Sequence, residues 1–146
     1  MNDVDPEELV RRIWARDPSV WTGGDEARWL GWLDEPARMR QEHASLDDFA
    51  EAVADSFEHT VLLGMGGSSL APEVLRRTFR SESFHVLDTT HPAAIRALEG
   101  ELDLQQTLFV AASKSGSTTE TLSHLAYFWE QVRDPSHFAV ITDPGS

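Results

Sequence analysis

The stretch "TVLLGMGGSSLAPEV", residues 60–74, runs from apolar residues through a glycine-rich turn into residues that favour a helix. The apolar run predicts a buried β-strand. Glycines allow a backbone to approach a ligand closely, and the helix that follows offers free amide groups at its positive end. Pro72 suits the first turn of that helix, where its missing N–H is tolerated. The stretch therefore predicts a strand, a tight turn and a helix in succession.

Three later apolar runs also end in a polar residue. They are "FHVLD" from residue 84, "TLFVAAS" from residue 107 and "FAVITD" from residue 138. Helices predicted at about 70–80, 92–99 and 118–132 separate the four runs. Near-continuous apolar strands that alternate with helices indicate an α/β fold, in which a parallel sheet is flanked by helices on both faces. Ligands of such sheets bind at the carboxyl ends of the strands.

The residues before this α/β region have a helical pattern. "PEELVRRIWAR" begins at residue 6, and "SLDDFAEAVADSF" begins at Ser45, which we expect to cap a helix together with Asp48. Between them lie three tryptophans that we expect to be packing residues, namely Trp21, Trp29 and Trp32. We therefore predict a helical segment at residues 1–57 and an α/β domain at residues 58–146.

The composition excludes several classes of protein. A net charge of −13 disfavours nucleic acid as a partner, because phosphate backbones are held mainly by clustered basic residues. The absence of cysteine excludes a disulfide framework and a cysteine-based zinc site. No run approaches the ~18 consecutive apolar residues that predict a membrane span. The acidic first residues argue against a secretory or transit peptide, and we expect a cytoplasmic protein.

A second unusual turn, "SKSGSTTE", follows the third apolar run at residues 113–120. It holds Lys114, the single lysine of the chain, among several hydroxyl side chains. Hydroxyl and amide groups that converge at a helix start suit a phosphate monoester, and a nearby lysine adds a positive charge. Ser117 and Glu120 fit a structural capping box at the start of the next helix.

The first turn leaves alternatives open. "GMGGSS" nearly matches the dinucleotide fingerprint G-x-G-x-x-G, and Asp88 follows at a suitable distance, but Ser69 stands in the place of the third glycine. A tight turn without a ligand is another interpretation. No stretch matches a Walker A loop. The second, hydroxyl-rich turn is not required by a dinucleotide site, and it favours a phosphosugar.

The two turns together carry a family resemblance. "LLGMGGSSLAPEV", residues 62–74, and "SKSGSTTET", residues 113–121, resemble the glucose-6-phosphate isomerase family, which is built on the SIS (sugar isomerase) fold. The resemblance implies a flavodoxin-like three-layer sandwich and the interconversion of glucose 6-phosphate and fructose 6-phosphate, a step of glycolysis and gluconeogenesis. It implies a hexose 6-phosphate substrate, no cofactor and a homodimer. "WTGG" and "LGWLDEP" are similar to the isomerase half of bifunctional transaldolase/glucose-6-phosphate isomerases, which implies a possible fused transaldolase domain.

The resemblance also implies which residues hold the substrate phosphate. The first turn supplies a glycine and a serine, and the second turn supplies three hydroxyl residues and the lysine. Many members of the family have a bulky aromatic residue where this chain has Gly116. The implied phosphate ligands are Gly67, Ser68, Ser113, Lys114, Ser115 and Thr118.

The family's catalytic groups have no counterpart in this sequence. Its glutamate base, ring-opening histidine, lysine and arginine lie in later motifs, and its sheet has a fifth strand. We therefore expect the chain to be an N-terminal portion with a truncated sheet, inactive by itself, and we name no catalytic residue and no metal ligand. His91 is expected to be an N-cap or a surface residue, and four other histidines are interpreted as structural, namely His59, His85, His124 and His137. The alternative function is a non-catalytic SIS module that senses a phosphosugar.

Overall fold

The computed structural model describes residues 5–146, which divide after Ala50 into two compact units. In the first unit, α1 spans Pro6–Trp14 and is capped by Asp5, whose carboxylate accepts a hydrogen bond from the Glu7 N–H at 3.0 Å. Three short 3-10 turns follow, at Pro18–Val20, Glu26–Trp29 and Gly31–Leu33. The second helix, α2, spans Glu35–Ser56 and continues into the second unit.

The tryptophans of the first unit are exposed, and the prediction that they are packing residues is wrong. Trp21, Trp29 and Trp32 are 45%, 56% and 62% exposed. The buried apolar side chains among the described residues of this unit are Leu30 and Leu33. The reason is local. A series of short 3-10 turns has no repeating inward face on which several indoles could be buried together.

Helix α2 begins at Glu35, well before the predicted start. Ser45 therefore lies inside the helix rather than at its cap, and its hydroxyl donates to the Glu42 carbonyl at 2.9 Å. The first turns of the helix have favourable charge spacing, because Arg38 pairs with Glu35 at 2.7 Å and with Glu42 at 3.8 Å. The apolar periodicity on which the prediction rested starts only later in the helix.

The second unit has the predicted α/β architecture. Four strands form one parallel sheet: β1 His59–Gly64, β2 Phe84–Leu87, β3 Thr107–Ala112 and β4 Phe138–Ile141. The connecting helices are α3 Gly67–Phe79, α4 Pro92–Glu101 and α5 Thr119–Val132. The strand order β2-β1-β3-β4 is that of a flavodoxin-like sheet, and it places the topological switch point between β1 and β3.

Each face of the sheet has its own apolar core. On one face Val61, Leu63, Leu87, Phe109 and Phe128 are buried, and the rings of Phe109 and Phe128 stack at 4.5 Å. On the other face Leu62, Leu108, Val110 and Ala112 are buried, with Val53 and Phe57 packed against them. Since successive strand residues point to opposite faces, the continuous apolar runs of the sequence supply both cores.

Helix α3 starts earlier than predicted. Its first residue is Gly67, so Pro72 lies beyond the first turn, inside the helix. The preceding Gly66 has a positive φ of 56°, which turns the chain sharply into the helix. Pro72 carries no N–H for the Ser68 carbonyl, one helical turn before it. Within residues 5–146, no helix has the length and apolar content that a membrane crossing requires.

Candidate functional site

The carboxyl ends of β1 and β3 lie side by side at the switch point. Gly64, the last residue of β1, pairs with Ala112, the last residue of β3. A β-carbon on Gly64 would lie 3.2 Å from the Ser68 Cβ and 3.4 Å from the Ala112 carbonyl oxygen. This close approach brings the turn after β1 against the end of β3. The two turns singled out in the sequence therefore meet at one end of the sheet.

Both helices that start at this point lack a side-chain cap. The N-cap of α3 is Gly66, and the N-cap of α5 is Thr118, whose side chain makes no capping hydrogen bond. By contrast, Asp5 caps α1, and the His91 ring accepts from the Ala93 N–H at the start of α4, at 3.2 Å, as predicted. Uncapped first-turn amides carry the positive end of the helix dipole. Two such ends at one switch point suit an anion.

The prediction that Ser117 caps α5 is wrong. The helix begins at Thr119 with Thr118 as its N-cap. Gly116 has a φ of 65°, and this left-handed turn folds Ser117 back so that its hydroxyl donates to the Ser115 hydroxyl at 3.0 Å. The Ser117 N–H also points to the Ser115 hydroxyl, at 3.3 Å. The capping box therefore does not form.

A second pair of hydroxyl groups closes the same loop. The Ser113 and Thr118 hydroxyl oxygens are 2.8 Å apart, within hydrogen-bonding distance. Ser113 is buried at the end of β3, and Thr118 is half-buried. Each hydroxyl can still accept a second hydrogen bond or rotate to donate one. The pair connects the end of β3 to the start of α5. Its two hydroxyls can each form a further hydrogen bond to a ligand at the switch point.

The loop at residues 113–118 is braced from the end of β4. The Lys114 carbonyl accepts from the Asp143 N–H at 3.2 Å and from the Thr142 hydroxyl at 3.5 Å. The Thr142 hydroxyl also lies 2.6 Å from the Ser146 hydroxyl. A β-carbon on Gly116 would meet the Ser146 side chain at 2.9 Å. Sequence reasoning did not identify this brace, although "TDPGS" is rich in turn-forming residues.

The first turn presents one available hydroxyl group. Ser68 is half-buried, and its hydroxyl makes no hydrogen bond to any described residue. The neighbouring Ser69 is buried and satisfied locally, because its hydroxyl donates to the Gly66 carbonyl at 3.0 Å. Gly67 and the Lys114 side chain are exposed at the same end of the sheet. The predicted phosphate ligands thus lie on two adjacent turns.

Two buried histidines of this unit each contact a backbone carbonyl, His124 near the start of α5 and His137 at the opposite, amino-terminal end of the sheet. His124 on α5 is 1% exposed, its Nε2 lies 3.1 Å from the Thr89 carbonyl, and burial lowers its pKa. Its Nδ1 and the Thr121 hydroxyl are buried without a partner among the described residues. His137 Nδ1 lies 2.9 Å from the Thr107 carbonyl. No group of three or more metal-ligating side chains occurs in the described part of the chain.

Comparison with known proteins supports one family. The family model for phosphoglucose isomerase matches residues 34–138, which is well over half of the chain. A glucose-6-phosphate isomerase from Thermus thermophilus is 35% identical over 155 aligned positions, which cover 94% of this chain and 33% of that protein. The chain therefore spans about a third of the length of the curated relatives it matches.

Solved structures give the same result for the fold. The crystal structure of a hypothetical protein from Thermus thermophilus matches 97% of this chain and 36% of its own, with a TM-score of 0.74 and 34% identity. A glucose-6-phosphate isomerase from Chlamydia trachomatis matches the whole chain and 30% of its own, with a TM-score of 0.65 and 24% identity, a likeness of fold alone. Because the family model matches well over half of the chain, the chain belongs to the phosphoglucose isomerase family.

Proposed function

We propose that this chain is the N-terminal sugar-phosphate-binding part of a glucose-6-phosphate isomerase, which interconverts glucose 6-phosphate and fructose 6-phosphate. The observation that carries the proposal is the meeting of two uncapped helix starts at the switch point, beside a pair of hydroxyl groups. A phosphate dianion there would accept from backbone amides and hydroxyls without a dedicated basic cluster. This suits a chain with a net charge of −13.

The two turns have separate roles in this proposal. Gly67 and Ser68 bind the phosphate from the start of α3, where the Ser68 hydroxyl is available. Ser113 and Thr118 bind it from the other side, and their mutual hydrogen bond orients both hydroxyls before the ligand arrives. Ser115 completes this side, and Lys114 contributes its positive charge.

The reaction needs groups that these turns do not supply. Isomerisation moves a proton between two sugar carbons, and a general base must lie within hydrogen-bonding reach of that proton. The hydroxyls and amides of the site hold a phosphate but do not accept a carbon-bound proton. We propose that the base and the ring-opening groups belong to further polypeptide of the full enzyme.

Two exposed apolar surfaces support the proposal that more polypeptide covers this unit. On α3 the side chains of Leu70, Val74 and Phe79 are 65%, 62% and 77% exposed. On the sheet edge, Val140 and Ile141 of β4 are 63% and 62% exposed. Apolar patches of this kind usually mark an interaction surface. A fifth strand, a second SIS domain and a homodimer partner are the proposed coverings.

Two finer features of the protein are proposals of the same kind. A cytoplasmic location fits the absence of cysteine and an acidic composition. A fused transaldolase domain rests on the resemblance of "WTGG" and "LGWLDEP" to the isomerase half of the bifunctional proteins. The location of a fluorescently tagged protein and the reading frame of the full transcript would test them.

A thermal-shift experiment tests the binding proposal. Millimolar fructose 6-phosphate and glucose 6-phosphate should raise the melting temperature, because a ligand that binds the folded state stabilises it by mass action. Unphosphorylated fructose is the matched ligand control and should have no effect. NAD should have no effect either. A shift with NAD alone would favour a dinucleotide site, and no shift with any phosphosugar would contradict the proposal.

A further inference from the structure

The amino-terminal half of the sheet contains a pair of histidines far from the candidate phosphate site. His59 is the first residue of β1, and His85 lies on β2, the neighbouring edge strand. Both side chains are half-buried on the same face of the sheet. The His59 Nδ1 and the His85 Nε2 are 3.3 Å apart. Because the residues lie on different strands, their spacing in the sequence does not reveal the pair.

This geometry matches that of two imidazoles on one metal ion. With zinc–nitrogen distances of about 2.0–2.1 Å and tetrahedral angles, two ligand nitrogens lie about 3.3–3.4 Å apart. Adding an imidazole ring radius of about 1.15 Å places the two ring centres about 5.2 Å apart. The observed ring centres are 5.2 Å apart with planes inclined at 60°. The same nitrogens lie within hydrogen-bonding distance, so in the metal-free chain one ring N–H can donate to the other ring.

We propose that His59 and His85 form a two-histidine site for a divalent transition metal such as Zn²⁺, with water in the remaining coordination positions. Imidazole nitrogen is a preferred ligand of such ions. The metal would join the start of β1 to β2, a strand of four residues at the edge of the sheet that residues 5–146 form. The expected consequence is a zinc-dependent stabilisation of this edge of the sheet.

Two side chains of opposite charge, Arg76 and Glu101, act on His85. Zinc binding requires a neutral imidazole at both histidines. Glu101 contributes an opposing, attractive charge. Glu73 accepts two hydrogen bonds from the Arg76 guanidinium at 2.7 and 2.9 Å, and it also pairs with Arg77 at 2.6 Å.

Titration calorimetry with Zn²⁺ alone, at neutral pH and after EDTA treatment, tests the site. The wild-type chain should bind one Zn²⁺, and zinc should raise its melting temperature. The variants His59→Gln and His85→Gln should each lose about tenfold or more in affinity and lose the thermal shift. His43→Gln is the matched control, since His43 is exposed on α2, and it should bind zinc as the wild type does.

The melting curve of each variant in EDTA shows whether it folds. If either His59→Gln or His85→Gln does not fold, the other variant still tests the site. No zinc binding by the wild-type chain would overturn the proposal. Equal zinc affinity in the wild type and in both folded variants would also overturn it, because the ion would then bind elsewhere. If His43→Gln lost as much zinc affinity as His85→Gln, the proposal would also be overturned, because His43 lies outside the proposed site.

Discussion

At the scale of single residues, the Ser113–Thr118 hydroxyl pair makes the sharpest prediction about the site. Replacement of Ser113 by Ala removes a hydroxyl from a buried position next to the proposed phosphate. Affinity for fructose 6-phosphate should fall by about 1–3 kcal/mol, the usual contribution of a hydrogen bond to a charged group. Thr118→Ala should have a similar effect. Calorimetric titration of each variant measures it.

A matched control separates binding from folding in this experiment. Ser123→Ala removes an exposed hydroxyl on α5 that donates to the Thr119 carbonyl at 2.7 Å, away from the two turns. Its ligand affinity should equal that of the wild type. Ser113→Ala also removes the hydrogen bond to Thr118, which should lower the free energy of unfolding by about 1 kcal/mol. Unchanged affinity in both Ser113→Ala and Thr118→Ala would contradict the assignment.

The buried His124 makes a prediction about pH. Burial lowers its pKa from 6.5, so the folded chain binds fewer protons at this ring than the unfolded chain does. The contribution of this ring to the free energy of unfolding should therefore be complete above the ordinary pKa of 6.5 and should be lost as the pH falls below it. His124→Gln, whose amide can still donate to the Thr89 carbonyl, should make this fall shallower. Part of the fall in unfolding free energy should remain in this variant, because burial also lowers the pKa of His85.

Urea denaturation at several pH values measures this dependence. The comparison uses the slope of unfolding free energy against pH, so a constant loss of stability in the variant does not affect it. His43→Gln replaces an exposed histidine and should keep the wild-type slope. A slope in His124→Gln as steep as that of the wild type would show that burial of this ring does not set the pH dependence.

At the scale of elements, the strands were predictable, and so were the starts of α1 at Pro6 and α4 at Pro92, whereas the starts of α2, α3 and α5 were not. Each strand is a short apolar run bounded by a polar residue, and burial on both faces of the sheet requires that pattern. The start of a helix depends on backbone geometry at one or two residues. The positive φ of Gly66 starts α3 early, and the positive φ of Gly116 delays α5 by one residue relative to the capping-box prediction.

The two turns of the candidate site were predicted from residue type, but their internal hydrogen bonds were not. Clustered hydroxyls at a strand end indicate a polar site, and this inference does not depend on which hydroxyls are hydrogen-bonded to each other. The pairing of Ser113 with Thr118, and of Ser115 with Ser117, depends on side-chain rotamers and on the turn at Gly116. The brace from residues 142–146 depends on β4 lying next to β3, which is a tertiary contact that local patterns do not contain.

The brace makes a prediction at this scale. Thr142→Val keeps the shape of the side chain but removes the hydroxyl that contacts the Lys114 carbonyl and Ser146. The loop at residues 113–118 should be less well positioned, and fructose 6-phosphate should bind several-fold more weakly, on the order of 1 kcal/mol. Thr142→Ser retains the hydroxyl and should restore the affinity. Equal affinity in the two variants would show that the hydroxyl does not position the loop.

At the scale of the whole molecule, this chain holds one side of a proposed reaction centre. It spans about a third of the length of its relatives, and the exposed apolar residues of α3 and β4 lie on surfaces that a larger protein would cover. An edge strand with free backbone groups and exposed apolar side chains is a template for association. The purified chain should therefore bind phosphosugars weakly and tend to self-associate at high concentration.

The last prediction concerns activity. The hydroxyls and amides at the switch point can hold a phosphate, but general base catalysis contributes about 10²–10⁴-fold to proton transfer and needs a base aimed at the sugar carbon. Residues 1–146 alone should therefore bind fructose 6-phosphate without converting it to glucose 6-phosphate, whereas the full-length protein should convert it. A coupled assay that detects glucose 6-phosphate measures both, with Ser113→Ala of the full-length protein as the control for the phosphate site. Conversion by the purified chain at a rate near that of the full-length protein would show that its own residues contain the base, and Glu120 at the start of α5 would be the first to test.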